Sequence, residues 1–331
     1  MLLPRLLRHL TLDPRTHPRG QPHLSSASGL VLAQARWFVV ADDEQHLACF
    51  DAWDEASADA PLSLLRLFEG DLPQRKGKRK DAKPDLETLA ALPPLSGCPH
   101  GALLALGSGS RPARQRAVLL ALDAPPVDGA SSPRADRAGR IAQIDLSALY
   151  APLRERFKDL NIEGAFVASG ELRLLQRGNK GEARNACISF DWNQIAPWLT
   201  GRRKTPPTAK SVQMIDLGSI EGVPLGLTDG AALDGGAWAF SAVAEDTQNS
   251  YLDGACAGSV IGIAGPDGAL LALHRLQGAP KVEGLHAARQ GGELLFTMVT
   301  DADDPDIASQ MLQVPVPWPP SGMGAISAHA S

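Results

Sequence analysis

Aromatic residues are scarce in this chain, at 5%, and only 4 of its 331 residues are cysteine. Cys49, Cys98, Cys187 and Cys256 stand far apart with no C-x-x-C pair, which excludes a zinc ribbon and a dithiol redox motif. Each has a structural reading: Cys49 and Cys187 fall on apolar strand patterns, Cys98 and Cys256 in loops. No apolar run approaches the ~18–20 residues that cross a bilayer. The N-terminal MLLPRLLRHL has its leucines interrupted by Pro4, Arg5 and Arg8, whereas a secretory leader puts charge first and an unbroken apolar stretch after it. A cytoplasmic protein with no membrane association is expected. A G-x-S-x-G nucleophile elbow and an H-E-x-x-H zinc helix are both missing. The segment GSGSR from Gly107 lacks the G-K-[ST] ending of a P-loop. In DADDPD from Asp301, Asp306 stands where an EF-hand needs Gly, and Leu312 where it closes with Glu. A net charge of −5 gives no general attraction to nucleic acid. The basic stretch 74–83 lacks the interleaved aromatics of a single-strand binder and reads as a mobile loop.

What the chain has instead is turn formers, 32 Gly and 26 Pro, among 44% hydrophobic and 21% charged residues. Five short segments resemble one another: Ala27-Ser28-Gly29-Leu30, Leu86-Glu87-Thr88-Leu89, Ile162-Glu163-Gly164-Ala165, Thr228-Asp229-Gly230-Ala231 and Val282-Glu283-Gly284-Leu285. Each opens a series of apolar, β-branched runs bounded by Gly, Asp and Ser, which is a strand pattern. The first unit reads SGLVLA, RWFVVA, HLACFD and LSLLRLF; the next three units carry four strands each in the same way. Four strands per unit at this spacing is the signature of a β-propeller. The fold class is therefore all-β, a five-bladed propeller forming one domain over residues 1–331. Its blades run over about 25–70, 84–146, 160–218, 224–277 and 281–317. The fifth unit supplies three strands, so RLLRHLTL at 5–12 is expected as its outermost strand, closing the ring and covering a sheet edge. Two helices are expected between blades, SALYAPLRERFKDL capped by Ser147, and a short one or a turn in DWNQIAPWLT broken at Pro197.

The innermost strand of each blade lines the channel, so its equivalent position forms a ring, here Ser28, Glu87, Glu163, Asp229 and Glu283. Four carboxyls on a narrow channel raise one another's pKa unless a cation joins them. Calcium takes six to eight hard oxygens in flexible geometry. The absence of His and Cys from the set argues against zinc and copper. A Ca²⁺ cofactor held by this ring is the expectation.

A five-bladed propeller with calcium held by one Ser or Glu from each inner strand resembles the calcium-dependent apyrases, whose ring order is Ser, Glu, Glu, Ser, Glu. Ser28, Glu87, Glu163 and Glu283 match that order, while Asp229 replaces the second Ser. The first hairpin, SGLVLAQARWFVVADDEQHLACF, is similar to that family's first blade. A looser resemblance is to phytase-like and esterase-like bacterial propellers. The resemblance implies a metal-dependent hydrolase of a phosphate ester or anhydride. Loops after the second strands carry candidate ligand-binding residues, basic at Arg111, Arg114 and Arg184 and acidic at Asp43, Glu245 and Asp303. This asymmetry suits a small anionic substrate. The other reading is a non-catalytic propeller in which the ion stitches the blades and the loop face binds a ligand or a protein, since fold alone does not choose function.

Overall fold

Runs such as Arg36–Ala41 and Ala102–Gly107 are apolar between turn formers, and in the computed structural model of the protein they are strands. The structure describes residues 1–52, 61–124, 140–179, 181–247 and 254–318. The chain starts with strand β1 (Arg5–His9). Blade 1 follows as β2 (Ala27–Ala33), β3 (Arg36–Ala41), β4 (His46–Asp51) and β5 (Ser63–Arg66). Helix α1 (Lys76–Ala82) leads to blade 2, made of β6 (Leu86–Leu92), β7 (Ala102–Gly107), β8 (Arg116–Ala121) and β9 (Ile141–Asp145). After α2 (Ser147–Arg156), blade 3 contains β10 (Ile162–Ala168), β11 (Glu171–Gln176) and β12 (Asn185–Asp191), then α3 (Trp192–Leu199) and β13 (Ser211–Ile215). Blade 4 has the short β14 (Ser219–Ile220) before β15 (Val223–Ala232), β16 (Trp238–Glu245), β17 (Cys256–Ala264) and β18 (Leu270–Arg275). Blade 5 is β19 (Val282–Gln290), β20 (Glu293–Thr300) and β21 (Gln310–Pro317).

Each sheet is antiparallel and ordered from the inside out, and β1 joins the last one as β1-β21-β20-β19. The inner strands β2, β6, β10, β15 and β19 contact one another in sequence, and β19 returns to β2. The result is a closed five-bladed β-propeller, as expected from the repeat. Between β10 and β11, Ser169 and Gly170 both take positive φ, the geometry of a two-residue hairpin turn.

Apolar side chains fill the wedges between neighbouring blades. Val40 and Leu47 face Leu103 and Val118; Leu104 and Leu119 face Leu174 and Ile188; Phe166 stacks with Trp238 at a centroid distance of 5.5 Å. The wedge between blades 5 and 1 contains Leu10, Leu12 and Leu24 together with Met311 and Val299. The N-terminal strand is thus shorter than expected. It pairs with β21 as far as His9, after which Thr11 bridges to His23 and Leu12 to Leu62 of blade 1. Leu10 and Leu12 leave the sheet because the wedge buries them.

Three other local expectations change. Residues 76–82 are helix α1 rather than loop. In α2 the amide of Ser147 donates to Asp145 Oδ1 at 2.8 Å, so Asp145 does the capping while Leu149, Leu153 and Phe157 are buried as expected. Helix α3 lies inside blade 3, between β12 and β13, rather than between blades; it runs through Pro197 to Leu199 instead of breaking there and is capped by Asp191. Among the described residues no helix is long and apolar enough to cross a membrane.

Candidate metal centre at the channel mouth

One residue of each inner strand is pushed out of register with its neighbour. The pairing of β2 with β3 skips Ser28, that of β6 with β7 skips Glu87, that of β10 with β11 skips Glu163, and that of β19 with β20 skips Glu283. Such a bulge re-aims the extra side chain. In blade 4 the shift falls between Leu227 and Asp229, so the equivalent residue is Thr228. Asp229 takes the next place, which Gly29, Gly164 and Gly284 hold in blades 1, 3 and 5. At Gly29 a Cβ would stand 2.7 Å from the Leu89 amide nitrogen, so the missing side chain lets adjacent inner strands close on each other. Asp229 uses this proximity differently. Its Oδ1 accepts from the Gly230 amide at 2.7 Å and its Oδ2 from the Leu285 amide of β19 at 2.8 Å. It clasps blades 4 and 5, while Thr228 Oγ1 donates to Ser241 Oγ at 2.8 Å.

Two residues before each bulge, side chains point to the same face because a strand alternates with period two. This places a second tier of polar groups above the ring. In four blades the amide that follows the second strand donates to the carbonyl at this position: Asp42 to Ser26, Ser108 to Asp85, Arg177 to Asn161 and Asp301 to Lys281, at 2.9–3.1 Å. The two tiers enclose a cavity of about 80 Å³ lined by eight carboxyl groups and five basic side chains.

Protein cations hold most of these carboxyls. Arg177 donates to Glu245 at 2.6 Å and stands 3.3 and 3.4 Å from Glu283 and Glu163. Glu163 also accepts from Asn161 Nδ2. Lys281 lies 2.6 Å from Asp303, 3.6 Å from Glu283, 3.7 Å from Glu245 and 3.9 Å from Asp301. Lys83 pairs with Asp42 and, at 3.0 Å, with Asp85, which also accepts from Arg114 at 2.7 Å and Ser108 at 2.6 Å. The Glu87 carboxyl makes no hydrogen bond or ion pair with any described residue, and Lys83 acts on it only through its charge. One carboxylate oxygen each of Asp42, Asp85 and Glu87 lies within 4.8 Å of the others.

The electrostatics follow from this crowding. Burial pushes Glu163 up to about 8 against the pull of Arg177, and Glu283 and Asp85 add to the rise. Burial lifts Glu87 well above the carboxylate range, with Glu163, Asp85 and Asp42 acting in the same direction and Lys83 opposing. Burial would raise Asp42 too, but the charge and hydrogen bond of Lys83 prevail and hold it low.

Of the ring expected from sequence, the structure brings Ser28, Glu87, Glu163 and Glu283 to the cavity, while Asp229 is bound to backbone amides. Ser28 Oγ donates to the Leu86 carbonyl of blade 2 at 2.5 Å. Arg114, Glu245 and Asp303 line the cavity as well, and Asp43 lines an adjoining hollow together with Asp303. Arg111 stands 3.8 Å from Asp81, and Arg184 is tied to Glu182 at 2.6 Å and to the Arg156 carbonyl, both away from the cavity lining. In the blade 4 loop, 248–251 lies outside the described residues. Sequence reasoning missed Asp85, Asn161 and Lys281, which the period-two rule applied upstream of each ring residue would have found. It also missed Lys83, Arg177 and Asp42, whose approach depends on how the second strands end.

No curated protein matches the chain. Among solved structures, it is similar to the catalytic domain of the GH62 α-L-arabinofuranosidase of Coprinopsis cinerea, with 11% identity over 95% of this chain and 97% of that one, at a TM-score of 0.54. The α-L-arabinofuranosidase of Podospora anserina gives 10% identity, coverage of 95% and 96%, and a TM-score of 0.49. Regucalcin of Agrobacterium tumefaciens, a calcium-binding protein, gives 11%, 96% and 95%, and 0.40. At these identities what is shared with the Coprinopsis domain is the fold. Residues 79–305 match a family of unknown function (DUF6910), and the chain belongs to that family.

Proposed function

We propose that the channel mouth binds a divalent cation, calcium by the chemistry of its donors, between Asp42, Asp85 and Glu87. The observation that carries this reading is the excess of carboxyl groups in the cavity lining, eight against five bases, with the Glu87 carboxyl left without a hydrogen bond or ion pair among the described residues. An all-oxygen donor set suits calcium or magnesium rather than zinc or copper. The ring residues Ser28, Glu163 and Glu283 lie in the same tier as Glu87, and Arg177 bridges Glu163 and Glu283.

The finer reading is a metal-dependent hydrolase of a phosphate ester or anhydride. The bulge positions read Ser28, Glu87, Glu163, Thr228 and Glu283, so a hydroxyl stands where the apyrase resemblance calls for a second Ser. The cavity's arginines and buried lysines are engaged by carboxyls, so an anionic substrate would be drawn by the ion, which would orient its phosphate or a water. Contacts between blades favour a second reading, a non-catalytic propeller. Ser28 to the Leu86 carbonyl, Asp229 to the Leu285 amide and Arg177 to Glu283 are all inter-blade bonds, and a central network of this kind serves stability alone.

Thermal unfolding with chelator, calcium and magnesium tests the metal. Calcium at 100-fold its Kd should add about 2.7 kcal/mol of stability. Glu87→Gln should shrink that response. A melting temperature indifferent to chelator and to either ion rejects the site. Calcium-dependent release of phosphate from nucleotides or p-nitrophenyl phosphate would favour the hydrolase over the scaffold.

A further inference from the structure

Helix α1 reads Lys-Gly-Lys-Arg-Lys-Asp-Ala and has no large apolar side chain with which to pack. Gly77, Lys78, Asp81 and Ala82 are exposed, while Leu72 before the helix and Pro84 after it are buried and fix its ends. Charge and hydrogen bonds hold the helix down. Arg79 Nε is 3.6 Å from Asp43, and Arg114 Nη2 donates to the Lys80 carbonyl at 3.4 Å. Lys83, the C-cap, drops its side chain between Asp42 and Asp85 with only 8% exposed. Its ammonium already has the role that the metal reading gives to a divalent ion, and it leaves Glu87 unpaired among the described residues. An ammonium and a divalent cation cannot share three carboxylates so close together, because their repulsion at a few ångströms is strong where burial weakens solvent screening.

We infer that Lys83 is a displaceable counter-ion and α1 a charge-latched lid: a divalent cation enters between Asp42, Asp85 and Glu87 in exchange for the Lys83 ammonium, and the helix lifts as it does. The inference rests on the metal reading and adds its regulation. The closed lid lowers the apparent affinity by the fraction of molecules in which Lys83 is out. Ion binding is then coupled to opening of the mouth, so a ligand meets an open channel only when the ion is present.

Titration calorimetry with calcium chloride on the full chain and on Lys83→Met tests the exchange. Met keeps most of the stem and removes the charge. The variant should bind calcium about ten-fold more tightly or better. In the wild-type protein, calcium should speed tryptic cleavage within 75–80 several-fold, because the helix that protects these bonds lifts. Arg79→Ala, which loosens the latch and keeps Lys83, should raise both calcium affinity and calcium-free cleavage. It carries the test if Lys83→Met does not fold. Calcium binding that is equal in all three proteins, with cleavage unchanged, overturns the exchange and leaves the metal site standing. Calcium binding to none of them rejects the metal site and the exchange with it. Binding to Lys83→Met alone supports the exchange, with the lysine winning in the wild type.

Discussion

Glycine 29 decides how near blades 1 and 2 come at the axis. A methyl group there would meet the Leu89 nitrogen at 2.7 Å and Val40 Cγ2 at 2.9 Å, and backbone on a neighbouring strand cannot yield cheaply. Gly29→Ala should cost about 1–3 kcal/mol in urea unfolding, the usual effect of overpacking. Glu163 poses the opposite problem, since its cost is charge. The folded state keeps a proton up to about pH 8 that the unfolded chain releases near 4.5. The unfolded state then binds fewer protons between those values, so stability falls as pH rises through that window. Glu163→Gln removes this slope. In the presence of chelator its melting temperature should match the wild type below pH 4.5 and exceed it above pH 8. A variant that is less stable at pH 8 would mean that Glu163 is ionised there and held by Arg177. At this scale the sequence was partly readable: an acid in second place on β6, β10 and β19 marked the ring, but Thr228 was hidden by the Asp229-Gly230 that follows it. Only strand pairing shows that blade 4 puts its bulge one residue earlier.

Elements were legible where hydrophobic alternation built them and misread where charge did. The four-strand repeat and the pairing of the N-terminal segment with the last blade followed from apolar runs and from a missing strand. Helix α1 did not, because its composition is that of a solvated loop and its contacts are ionic, with partners distant in sequence. The N-terminal strap is similar. Beyond His9 the segment 13–22 is held at the β3–β4 turn by Glu44, which accepts from His17 Nε2 at 2.9 Å and Arg19 Nη2 at 2.5 Å. His17 Nδ1 accepts the Arg19 and Gln21 amides, so the ring hydrogen sits on the nitrogen facing Glu44. Burial would raise Glu44, but the His17 and His46 hydrogen bonds and the Arg19 charge hold it at about 2. Its contribution is therefore complete above about pH 4.5 and is lost as pH falls towards 2. Glu44→Gln should cost about 3–5 kcal/mol at pH 7, since it leaves Arg19 partly unpaired in a buried site. The difference from wild type should narrow in urea titrations carried below pH 4.5. A constant difference down to pH 2 would assign the loss to packing rather than charge.

At the scale of the molecule, the closed ring confines the carboxyls that make the mouth acidic. Each wedge between blades has its own apolar cluster, so the ring is as strong as its seam, and the seam is where blade 5 meets blade 1. That wedge has β19 against β2 in common with the others, but it also needs Leu10 and Leu12 from the N-terminal segment, which are 0% and 5% exposed. Removing residues 1–12 takes both leucines out of the core, at about 1.5–3 kcal/mol each. It also strips β1 from β21 and leaves that edge unpaired. An exposed edge strand pairs with whatever strand it meets. The truncated chain should therefore be less stable by at least ~3 kcal/mol in urea unfolding and self-associate in proportion to its concentration, as read by light scattering. Restoring residues 5–12 as a separate peptide should reverse both effects, because the missing strand has a defined place to bind. A truncated chain that stays monomeric and melts with the full-length protein would show that the ring is held by its inner strands alone. The seam would then be decoration on a circle already closed by β19 and β2.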